Sequence, residues 1–135
     1  MAGLPIRLKV PGKDEVLFTE VSTTSFRFHG FLHVEDQGLR LEWQGSAKVE
    51  EVGLGGVSER EVPLPAEEIT VPYEDLRAVR LGGIGPWSYV ELVEARLGVL
   101  KVIPSADNGR VRCWVTMRDR ALARALVTDV AAVVG

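Results

Sequence analysis

From residue 4 to about residue 115, apolar and polar positions alternate with a period of two. Turn residues break the alternation every eight to twelve positions, the pattern of an all-β sandwich or barrel. Ile6, Leu8 and Val10 alternate with Arg7 and Lys9. Pro11-Gly12-Lys13-Asp14 then supplies a turn, and Val16-Leu17-Phe18-Thr19-Glu20-Val21 resumes an extended run. This predicts an N-terminal β-hairpin within residues 1–25, joined by the polar link Ser22-Thr23-Thr24-Ser25 to the main body. Phe26, Phe28, Leu32 and Val34 fall on one face of the next strand, with Arg27, His29, Phe31, His33 and Glu35 on the opposite face. Gly30 joins the first set and marks a bend or bulge. After the turn Glu35-Asp36-Gln37-Gly38, Leu39, Leu41 and Trp43 point inward in the clearest strand of the chain.

Gly45 to Glu61 is rich in glycine and glutamate and reads as a long connection, with a strand near Ala47 to Val52. Val62-Pro63-Leu64-Pro65 and Ile69-Thr70-Val71-Pro72 cannot both be central strands, because each proline removes a ladder donor. Arg77 to Leu81 forms a strand closed by Gly82-Gly83-Ile84-Gly85-Pro86-Trp87. Three more strands are expected over Ser88 to Ala95, Leu97 to Ile103 and Val111 to Val115, with a tight turn at Asn108-Gly109. The period changes after Val115. Thr116 and Asp119 make a capping-box-like start, and Leu122, Ala125, Leu126, Val130 and Val133 share one helical stripe. The expected architecture is one domain: a hairpin extension (1–25), an antiparallel β-barrel of about seven strands (26–115) and a C-terminal helix (116–134).

A chain of 135 residues supports a single core, and 46% apolar against 26% charged residues excludes intrinsic disorder. A formal charge of −3 lacks the electrostatic footprint of a general nucleic-acid binder. Cys113 is the only cysteine, so neither an intrachain disulfide nor a multi-cysteine zinc site can form, which fits a reducing compartment. Arg7, Lys9 and Pro11 interrupt any leader-like apolar run near the N-terminus, and no stretch has membrane-spanning length; a cytoplasmic location is expected.

Seven antiparallel strands followed by one helix resemble the pleckstrin-homology-like barrels, and residues 26–134 are similar to their small bacterial, GRAM-type members. The resemblance rests on Phe28-His29-Gly30-Phe31-Leu32, Gly38-Leu39-Arg40-Leu41-Glu42-Trp43, Val71-Pro72-Tyr73-Glu74-Asp75-Leu76-Arg77-Ala78-Val79 and Met117-Arg118-Asp119-Arg120-Ala121. It implies a binding scaffold, because the superfamily carries no catalytic signature. Phosphoinositide-binding relatives place several cations around the first hairpin. This chain has Glu35 and Asp36 there with only Arg40 nearby, which disfavours a phosphorylated headgroup.

Candidate chemistry is sparse. His29 and His33 are the only histidines. On a strand their attachment points lie roughly 13 Å apart, too far for shared metal ligation, so both are read as solvent-facing or interface residues. Cys113 alternates with Val111 and Val115 and reads as a core residue without a neighbouring base. The glycine clusters lack phosphate-loop spacing and context, and paired acids such as Glu50-Glu51 fall in expected loops. Trp87, Tyr89 and Trp114 stand out, since Trp114 points away from the barrel interior and needs cover by the hairpin, a loop or a partner. The reading is a non-enzymatic, cofactor-free, protein-binding module that forms homo-oligomers. Its candidate interface comprises Trp87, Tyr89, Trp114, His29 and His33. The alternative is a small-ligand or lipid-binding barrel with Gly82 to Trp87 as a lid over its mouth.

Overall fold

The computed structural model describes residues 3–17 and 19–134. Eight strands form one antiparallel sheet: β1 (Leu4–Leu8), β2 (Lys13–Leu17), β3 (Glu20–Val34), β4 (Gly38–Gly53), β5 (Gly56–Pro72), β6 (Leu76–Ile84), β7 (Trp87–Glu94) and β8 (Arg110–Val115). One helix, α1 (Arg120–Ala131), follows. The lateral order is β5-β4-β3-β1-β8-β7-β6, with β2 attached to β3. The two end strands β5 and β6 are joined by the 3-10 turn Tyr73–Asp75 but do not pair, so the sheet is open along that seam.

The N-terminal segment differs from the expected hairpin. β1 and β2 do not pair with each other; both lie antiparallel to β3, β1 along Phe28 to Leu32 and β2 along Glu20 to Thr24. Pro11 and Gly12, which look like a hairpin turn, carry the chain forward between two collinear strands. The supposed link Ser22 to Ser25 is part of β3. Phe18, expected in the second strand of the hairpin, lies outside the described residues. β1 is not an appendage: it separates β3 from β8, and Leu4, Ile6 and Leu8 are buried.

The remaining corrections are local. The segment read as a long connection is a hairpin in which β4 runs to Gly53 and β5 starts at Gly56, with both prolines of Val62 to Pro65 on an edge strand. Leu97 to Ile103 is not a strand. It is a run of turns in which the amides of Val99, Lys101, Ile103 and Ala106 each bond the carbonyl three residues earlier. Leu97 is thereby left in solvent while Leu100 and Ile103 are buried. Glu94 holds this segment by accepting from the Gly98 and Leu100 amides. Asn108-Gly109 makes the expected turn with φ of 51° and 76°.

The core fills the space between the inner face of the sheet and α1, with Leu32, Leu39, Leu41, Val90, Leu92 and Val111 at its centre. Gly30 sits where a side chain has no room, because a Cβ there would approach the Glu42 carbonyl oxygen to 1.8 Å. α1 buries Ala123, Leu126 and Val130, with Leu122, Val127 and Val134 packed alongside, so Ala125 and Val133 do not belong to its inner stripe. Thr116 Oγ1 donates to Asp119 Oδ2 at the helix entry. Among the described residues no helix is long and apolar enough to cross a membrane.

Candidate functional site

The sheet's outer face carries the residues singled out from the sequence. Cross-strand register aligns Gly82, Tyr89, Trp114, Arg7, His29 and Gln44 in one row across six strands. Tyr89 and Trp114 meet edge to face at 5.0 Å, Lys9 Nζ lies 3.8 Å from the Trp114 ring centroid, and Arg112 stacks on Tyr89 at 4.6 Å. Trp114 is therefore partly covered from within its own chain, by neighbouring β1, by Tyr89 and by Lys9 over one face of its ring. Trp87 is different. It opposes Ile84 at the tip of the β6–β7 hairpin, and both side chains project into solvent.

His29 and His33 lie on the same face but find separate partners. His29 Nε2 is 3.3 Å from Gln44 Nε2, whereas His33 Nε2 is 3.0 Å from Glu42 Oε1. Arg40 ties the second group together, reaching Glu35 and Glu42 at 3.1 Å each and Glu68 at 3.6 Å. The hydrogen bond from His33, reinforced by the charge of Arg40, outweighs desolvation and holds the Glu42 carboxyl below its usual range. An open cleft of about 410 Å³ runs beside these residues where the β4–β5 register shifts between Trp43 and Gly45.

Sequence reasoning missed Glu91, a carboxylate on β7 that is almost completely buried. Its signal was an acid between Val90 and Leu92 in a strand whose neighbours present arginine. Arg80 donates to it at 2.8 Å and Arg112 at 3.3 Å. Burial pushes this carboxyl up, but hydrogen bonds from Arg112 and Arg80 and the positive charge of Arg80 and Arg110 prevail and bring it below the usual carboxylate range. Because the folded-state value is the lower one, the trio stabilises the fold above the unfolded carboxyl's range and loses that contribution as pH falls through the folded value. Glu91→Gln should cost about 1–2 kcal/mol at neutral pH, since both arginines are half exposed and rehydrate readily. The expected stability profile, measured by urea unfolding from about pH 6 to about pH 3, is shallower for the variant than for the native chain. Parallel profiles would remove the trio from the account.

Cys113 is completely buried, and burial pushes its thiol up to about 12. It lacks the thiolate character a nucleophile needs. Among the described residues no three His, Cys, Asp or Glu side chains cluster as a metal site would require.

A further feature was not legible as a site. Beyond Ala47, the last buried residue of β4, six residues to Gly53 carry that strand roughly 20 Å further. β2, the start of β3 and the start of β5 accompany it to form a four-stranded arm. Near its tip Val16 opposes Val21, Val21 opposes Val52, and Val52 opposes Val57. Directly opposed residues share a face, so the four valines form one apolar row, exposed along its length. The adjacent row on the same face is Asp14, Thr23, Glu50 and Glu59, with Lys48 bridging the two glutamates.

The chain matches no family model, no curated protein and no solved structure. Its functional reading therefore rests on this geometry.

Proposed function

We propose that the protein is a non-enzymatic interaction module of pleckstrin-homology-like architecture that pairs with a second copy of itself through the arm. The strand order β5-β4-β3-β1-β8-β7-β6 followed by one helix supports the architectural part, with β1 as the first strand of a barrel left open at the β5–β6 seam. In this reading β2 is an insertion that lengthens the arm.

The observation that carries the functional part is the valine row. Cross-strand valine pairs stabilise a sheet by only about 0.2–1 kcal/mol each, whereas a continuous exposed row of four is the kind of apolar face that protein contacts cover. A second copy is the favoured occupant because the row is self-complementary under a two-fold axis running along it. Each valine then meets its own counterpart, and the two arms extend in opposite directions. A two-fold along the strands would instead set Asp14 over the partner's Glu59 and leave like charges opposed. The contact area is small, so the dimer is a reversible one.

Trapping by a disulfide tests the geometry. Val21 and Val62 are equally exposed, at 39% and 40%, but lie on opposite faces of the arm. Val21→Cys should oxidise to a covalent dimer much faster than Val62→Cys, while buried Cys113 stays silent. Equal rates for the two variants would contradict the proposed pairing.

A further inference from the structure

We propose that a second cleft, between β1, β8 and the turn-rich segment 95–109, binds a small-molecule oxyanion, a phosphate or carboxylate group carried next to an apolar or aromatic body. This site lies on the sheet half away from the arm and is independent of self-association.

The cleft encloses about 380 Å³, and Lys9, Arg110, Arg112, Ser105 and Trp114 line it together with the carboxylates of Glu91 and Asp107. Its charges are not balanced internally. Glu91 is satisfied by Arg112 and by Arg80, which stands outside the lining. Among the described residues neither Lys9 nor Arg110 forms an ion pair. Lys9 is held over the Trp114 ring, which fixes the ammonium without using its N–H donors. The cleft therefore offers two cations, one of them positioned, whose hydrogen-bonding capacity is free.

A separate observation points the same way. The Ser105 hydroxyl oxygen is buried and has no hydrogen-bond partner. Leaving such a group unsatisfied is costly, and native structures seldom do so without a water, ion or ligand nearby. An anionic oxygen accepting from Lys9 and Arg110 would satisfy both cations, and Ser105, in the same lining, would donate to it once a small shift uncovers its hydroxyl. The Trp114 ring forms an apolar wall beside that position, suited to the body of the ligand. Asp107 in the lining opposes polyanions and favours a mono- or dianion.

The frame is built to hold its shape. Leu100 and Ile103 anchor the turn segment in the core, Glu94 secures its first turn, and paired backbone bonds between Asp107 and Arg110 close the Asn108-Gly109 turn. The cations and the hydroxyl are thus presented from braced backbone.

The test uses the full chain at constant ionic strength, with phenyl phosphate, benzoate and inorganic phosphate as probes and backbone amide shifts as the readout. Phenyl phosphate or benzoate should give saturable shifts centred on Ser105, Arg110 and Arg112, and whichever is tighter identifies the anion. Inorganic phosphate should bind more weakly than phenyl phosphate, since it makes no contact with Trp114. Lys9→Met and Arg110→Met should each raise Kd at least about tenfold. Ser105→Ala should raise it several-fold, and Lys13→Met on the arm should leave it unchanged. Lys9 and Arg110 are exposed, so these variants keep the fold. The absence of any saturable shift up to about 10 mM probe would overturn the proposal, as would shifts that persist in the Lys9→Met, Arg110→Met double variant.

Discussion

A chain that begins at Ser25 will not fold. The sequence pattern presents residues 1–25 as a detachable hairpin, and a shortened chain would then retain its core. In the structure this cut removes the strand that joins the two halves of the sheet, β5-β4-β3 on one side and β8-β7-β6 on the other. Leu4, Ile6 and Leu8, all within 3% of full burial, leave with it. Each contributes roughly 1.5–3 kcal/mol of burial, and the exposed ladders of β3 and β8 lose their partner as well. Domains of this size have only about 5–15 kcal/mol in reserve. Circular dichroism should therefore find no cooperative thermal transition for the shortened chain, whereas Ile6→Ala should melt cooperatively after losing about 2–4 kcal/mol. A cooperative melt of the Ser25 chain would refute the central placement of β1.

Val16→Lys combined with Val57→Lys should raise the dimer dissociation constant at least about a hundredfold, because each substituted position meets its own counterpart across the two-fold, opposing two partly dehydrated ammonium groups at either end of the row. These valines end the row and are 70% and 74% exposed. The double variant should thus melt within about 0.5 kcal/mol of the native chain when compared as monomers. Sedimentation equilibrium separates the two effects. Unchanged association in the variant would remove the valine row from the interface, and a collapse of stability would show that the row serves the fold instead.

Much of the architecture was legible because one-sided burial writes a period of two into a strand. Leu39, Leu41 and Trp43 point inward as read, and the Asn108-Gly109 turn stands where local chemistry puts it, whereas a 3-10 turn over Met117–Asp119 delays α1 to Arg120 and Thr116 bonds the Asp119 side chain instead of capping a backbone amide. Pairing was not legible. Pro11-Gly12 has turn chemistry whether the following strand folds back or runs on, and only the edge of β3 decides between these outcomes. The arm was read as a connection because both its faces are wet, which erases the alternation that reveals a buried face. Leu97 to Ile103 shows the opposite failure, a short apolar run that reads as a strand without being one. Gly98 at φ 84° breaks the extended path, and the turns bury Leu100 and Ile103 instead.

The same division applies to the candidate residues. Outward placement of Tyr89, Trp114, His29 and His33 follows from alternation, but their partners come from strands distant in sequence. Lys9 reaches Trp114 only because β1 lies beside β8. The valine row depends on three registers at once, none of them encoded within a single strand.

The most direct test of self-association is the solution mass of the full chain, measured by light scattering across a micromolar to millimolar concentration series. The proposed pairing predicts a rise from the 14.8 kDa of one chain to a plateau at twice that value. A constant 14.8 kDa throughout would contradict it, as would continued growth beyond the dimer, because a two-fold contact closes on itself.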